Sequence, residues 1–107
     1  MYVRTVAAFL LVGLFSIGTA HSEILVRDYK AMKADPLLKA YMDGLGKGIF
    51  WANVEADKKL YCQTDIALKV DSYIQILDVE IARNIYPIDM PIELVLIKAL
   101  ERFFPCQ

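Results

Sequence analysis

Beyond residue 21, apolar residues recur every three or four positions, the spacing that places them on one face of a helix. Leu25, Tyr29 and Met32 share such a face, and Ser22 is placed to cap a first helix over residues 22–34. Asp35-Pro36 restarts the chain, with Asp as N-cap and Pro at the first helical position. Leu37, Leu38, Tyr41, Leu45, Ile49 and Ala52 then step along a second helix. Residues 54–60 are mostly polar and interrupt the pattern. Val70, Tyr73, Ile74, Leu77 and Ile81 predict a third helix over residues 69–83. Pro87 keeps Tyr86 out of helical geometry and makes residues 85–89 a short connection. A last helix opens at Pro91, with Asp89 or Met90 at its cap and Glu93 in its first turn. Its apolar residues, from Leu94 to Phe104, run around most of the circumference, which suits a helix packed on several sides. The pattern predicts an all-α domain, a small four-helix bundle-like fold.

The first twenty residues follow a different rule. Arg4 is their one charge, residues 6–17 form an apolar run, and Gly18-Thr19-Ala20 supplies small residues. This is the layout of a secretory signal peptide cleaved after Ala20. The apolar run is short for a span of about 20 residues. The expected product is a soluble periplasmic domain over residues 21–107, with no membrane attachment after cleavage.

The stretch DGLGKGIFW, residues 43–51, brings three glycines and a lysine together. A phosphate-binding loop needs a strand before it and a helix after it, and the G-x-x-x-x-G-K spacing is missing. The helical period runs straight through the glycines. Gly44 and Gly48, four apart, therefore read as a helix face that lets another helix come close, or as a local kink. A bulky residue at Gly48 is expected to crowd that packing.

Composition narrows the chemistry. The chain of 107 residues is sized for one domain. With Arg4 taken from the 12 Lys+Arg, 13 Asp+Glu leave the exported part at a net charge of −2. There is no basic stripe of the kind nucleic acid needs. The one histidine, His21, falls at the new N-terminus, which disfavours a histidine-based triad or general base. Every carboxylate reads as a cap or a solvated helix face. No catalytic, metal or cofactor site is expected, and the domain reads as a binding protein, not an enzyme. Cys62 and Cys106 are an even pair in an oxidising compartment and read as one intrachain disulfide. The third and fourth helices, each about 21–23 Å long, would run antiparallel across their short connection. That arrangement puts a cysteine at each outer end.

Beyond this point the chain carries a resemblance. The order G-L-G-K-G-I-F-W-A-N, then L-Y-C, then Y-I-Q-I-L-D, then Y-P-I-D-M-P-I-E-L-V-L-I-K-A-L-E-R-F-F-P-C resembles the Rap/Tai family of periplasmic immunity proteins over residues 37–107. The resemblance implies a small, helical, disulfide-bonded protein, often a homodimer. It also implies a protein partner, a peptidoglycan amidase effector delivered by type VI secretion, which the protein binds and neutralises. Met90 stands where that pattern has Thr in Thr-Pro-x-Glu, which leaves Asp89 to cap the last helix. The first helix lies outside the resemblance. Two other functions suit the same features: a periplasmic binding or assembly module, and a small acid-stress chaperone of the HdeA type.

The connection before the last helix is the candidate contact surface. Tyr86, Pro87 and Asp89 combine an aromatic anchor, a rigid residue and an acid on a loop held by helices. The plainer reading has Tyr86 covering the end of the core and Asp89 capping the helix.

Overall fold

The computed structural model of the protein describes residues 23–63 and 68–107. The expected signal peptide, its cleavage after Ala20 and the Ser22 cap lie outside the described residues. Within them the fold is all-α, built from four helices: α1 (Val26–Met32), α2 (Pro36–Glu55), α3 (Val70–Ala82) and α4 (Ile92–Phe103). Among the described residues no helix is long and apolar enough to cross a membrane.

The helix starts follow two chemistries. Asp35 caps α2 as expected: its carboxylate accepts from the Leu37 amide at 2.9 Å, and Pro36 needs no donor at the first position. α4 departs from the expectation. Neither Asp89 nor Met90 caps it; Pro91 holds the N-cap position with no side-chain hydrogen bond. The Ile92 amide instead donates to the Ile24 carbonyl at 2.9 Å. A backbone carbonyl from the segment before α1 satisfies the orphan donor, so no capping side chain is required. α1 is also shorter than the periodicity predicted, because residues 24–25 are engaged in this pairing and extended.

α4 is the most enclosed helix, with Ile92, Val95, Leu96, Ala99 and Leu100 all at 0% exposure. Its neighbours contribute Leu38 and Met42 from α2, Tyr73 and Leu77 from α3, Tyr29 from α1 and Tyr61 from the segment after α2. In α2 the period is as read and the phase is rotated by about one residue. Leu38, Met42, Gly46, Phe50 and Asn53 face inward, Tyr41, Leu45 and Ile49 are half-buried, and Leu37 and Ala52 are exposed.

That rotation corrects the reading of the glycines. Gly44 and Gly48 are exposed, and a Cβ at either would meet nothing within 4 Å. The close approach is at Gly46, where a Cβ would lie 2.4 Å from two ring carbons of Tyr73. α3 packs on α2 through this one missing side chain.

Cys62 and Cys106 form the expected intrachain disulfide, with Cα atoms 4.9 Å apart and a sequence separation of 44. The Cys62 amide also donates to the Phe104 carbonyl at 2.8 Å. Asn53, buried at the inner face of α2, holds the same segment from the other side. Its amide nitrogen donates to the Tyr61 carbonyl and its oxygen accepts from the Leu60 amide, both at 2.8 Å. The polar interruption in the hydrophobic pattern is thereby fixed against the bundle.

Candidate functional site

The connection between α3 and α4, residues 83–91, is supported from two sides. α3 ends at Arg83, and Asn84 takes a positive φ of 62°. Asparagine tolerates this left-handed conformation better than most residues. The chain turns there, and a second turn follows in which the Met90 amide donates to the Pro87 carbonyl at 3.1 Å.

Two sets of contacts hold the connection. From beneath, the segment before α1 runs antiparallel to it. The Val26 amide donates to the Met90 carbonyl and the Arg27 amide to the Ile88 carbonyl, each at 2.9 Å, beside the Leu25–Pro91 bridge. From within, Glu80 of α3 gathers it to the bundle. Glu80 is 1% exposed, and one of its oxygens accepts from Tyr86 Oη at 2.5 Å and Arg83 Nη1 at 3.1 Å. The other accepts from Arg102 Nε of α4 at 2.7 Å. Burial alone would push this carboxyl up; the Tyr86 hydroxyl and the two guanidinium groups outweigh it and hold the carboxyl below its usual range. The same contact works on the partner. Burial and the Glu80 carboxylate push the Tyr86 hydroxyl up to about 12.

The site residues named from sequence therefore separate. Tyr86 is half-buried, with its hydroxyl on Glu80, and it anchors the connection from inside. Pro87 and Asp89 are exposed on the outer side. Beside them stand two residues that the sequence reading passed over, Ile85 at 59% and Ile88 at 66% exposure. A signal for them was present. The five residues 85–89, read from the sequence as a short connection, cannot turn three large apolar side chains inward once Pro87 breaks the helical period and Tyr86 occupies the inner position.

The surface so formed is two β-branched aliphatics, a proline and a carboxylate on a braced turn. It carries no nucleophile, and among the described residues no group of three or more His, Cys, Asp or Glu is placed to hold a metal ion. What it offers chemically is apolar area whose conformation is fixed in advance, which lowers the entropy lost when another protein docks. Surface cavities are also found among the described residues, one of them reaching the connection at Asn84. One of about 480 Å³ sits between Trp51, Val54, Lys59 and Cys62; one of about 550 Å³ sits between Lys30, Lys33, Asp78 and Asn84. In the second, Asp78 already accepts from Tyr29 at 2.8 Å and Lys33 at 2.7 Å.

No protein-family model, curated protein or solved structure matches the chain.

Proposed function

We propose that this chain is an exported immunity-type protein that binds and neutralises a peptidoglycan amidase effector of type VI secretion, using the connection between α3 and α4 as its contact. The observation that carries the protein-binding part is the pair Ile85 and Ile88, held out to solvent by a turn that is itself tied down at Tyr86, Ile88 and Met90. Exposing two large aliphatics on a rigid turn has no benefit for the isolated chain. It suits a convex contact entering an apolar cleft on a partner, with Asp89 at its rim. The choice of an amidase as that partner rests on the sequence resemblance over residues 37–107.

The test is inhibition of purified type VI amidase effectors by the purified chain, with Ile85→Glu/Ile88→Glu as the variant. Both positions are exposed, so the melting temperature should stay within a few degrees while inhibition falls by at least about 100-fold, the loss expected of a contact centre. Unchanged inhibition by a folded variant would move the contact elsewhere. Failure to inhibit any amidase would remove the partner and leave a binding module.

A further inference from the structure

We propose that the partner meets this chain across the apolar turn and the cavity beside it together, and that the partner is acidic there. It brings an aspartate or glutamate side chain into the cavity at Lys30 and a second carboxylate to Arg27. This rests on the reading of the connection as a protein contact. The two surfaces are continuous. Asn84 lines the cavity of about 550 Å³, and the next residue is Ile85. The Arg27 amide donates to the Ile88 carbonyl at 2.9 Å, so the start of α1 lies against the second exposed isoleucine.

α1 turns a basic flank along this junction. Arg27, Lys30 and Lys33 follow one another at intervals of three, which makes them neighbours on a helix surface, and all three are exposed. Lys33 is paired with Asp78 at 2.7 Å. Lys39, Lys47, Arg83 and Arg102 have carboxylate partners too. Among the described residues Arg27 and Lys30 have none. The chain as a whole carries a formal net charge of −1, so this flank runs against the overall balance.

Within the isolated chain the arrangement is unfavourable. Like charges three apart on a helix repel. Lys30, in the last turn of α1, suits the negative end of the helix dipole; Arg27, at the second residue, opposes the positive end. Carboxylates from a partner would offset both effects. The cavity suits one of them. Its lining holds two lysines against one aspartate, and both oxygens of that aspartate are engaged, by Tyr29 and by Lys33. The charge of Lys30 is left over. Ile81 and Ala82 offer an apolar wall to the methylenes of a glutamate, and Asn84 offers an amide donor at the edge. A convex apolar pair beside a basic hollow sets the orientation of docking as well as its place, because complementary charge fixes register.

The test is the binding kinetics of purified type VI amidase effectors at low and at physiological ionic strength. Arg27→Glu/Lys30→Glu should lower the association rate constant about tenfold or more at low salt and flatten its salt dependence. Both positions are exposed, so the far-ultraviolet spectrum and melting curve should match the parent. Ile85→Glu/Ile88→Glu should act chiefly on the dissociation rate. An effector that loses binding with the isoleucine variant and keeps its full association rate with the charge variant would overturn the acidic partner and spare the contact. An effector indifferent to both variants would overturn both. If no effector binds, the amidase reading fails, and a synthetic peptide of alternating glutamate and leucine becomes the probe, set against its lysine counterpart. Nuclear magnetic resonance shifts centred on Lys30, Asn84 and Ile85 with the glutamate peptide alone would support the proposal. Equal shifts with both peptides, or none with either, would overturn it.

Discussion

Gly46 and Gly48 sit two residues apart on α2 and should answer one substitution in opposite ways. Alanine at 46 would put its methyl 2.4 Å from the Tyr73 ring, and Tyr73 is 0% exposed with no room to withdraw. Gly46→Ala should therefore cost at least about 1–3 kcal/mol. Gly48→Ala meets open space in a helix interior and should stabilise the chain by up to about 1 kcal/mol, chiefly by restricting the unfolded state. Urea unfolding of both variants checks the pair. Equal effects, or a stabilised Gly46→Ala, would contradict the packing described. The helical period in the sequence places these glycines in a helix, as found. It does not show which of them faces inward. Both Leu37 and Leu38 can open the buried stripe, and the choice rests on Tyr73, a residue almost thirty positions away whose ring needs the gap at Gly46.

At the scale of elements, the segment after α2 depends on a few cross-connections. Cys62 is joined to Cys106, its amide reaches the Phe104 carbonyl, and Asn53 grips the two residues before it. Removing the disulfide with Cys62→Ser frees a loop closed over a sequence separation of 44 in the unfolded state. That should cost about 2–5 kcal/mol, measured by chemical denaturation against the oxidised parent. Asn53 should keep Tyr61 in place, so the native far-ultraviolet spectrum should survive the loss. A variant as stable as the parent would show that the disulfide adds nothing to the bundle. The disulfide and the order of helices were legible in the cysteine count and the apolar spacing. The start of α4 was not. Its donor is satisfied by the carbonyl of Ile24, and a backbone partner leaves no residue-type signature at either end.

For the whole molecule, tyrosine is the residue that ties helix to helix. Tyr29 of α1 donates to Asp78 of α3, Tyr41 of α2 to Glu93 of α4, and Tyr86 to Glu80. Burial raises the hydroxyl of every tyrosine among the described residues, with Tyr61 and Tyr86 pushed to about 12 and Tyr29 and Tyr41 further. The folded values lie above the unfolded value of about 10. The stability they contribute is thus complete below about pH 10 and is lost as pH rises toward and through the folded values. Glu80 acts at the other end. Its carboxyl is held below the ordinary range, so its contribution is present above the unfolded value and is lost as pH falls through the depressed folded one. Melting temperature against pH should show a plateau through neutrality, a fall above about pH 10 accompanied by tyrosinate absorbance, and a fall in strong acid. Glu80→Gln should lower the plateau and flatten the acid limb. A chain that melts first at mildly acid pH, with Glu80→Gln unchanged from the parent, would oppose this account.

The pairing of residues 24–27 with 88–92 has an evolutionary consequence. Each of its hydrogen bonds joins main chain to main chain, so the brace is indifferent to nearly every side chain along it, proline excepted. Mutation can change Ile85, Ile88 or Asp89 without loosening the turn that displays them. A protein locked in rivalry with an altering target could in this way drift through many contact chemistries on one unchanged frame, and lineages that share this fold could diverge at these positions first.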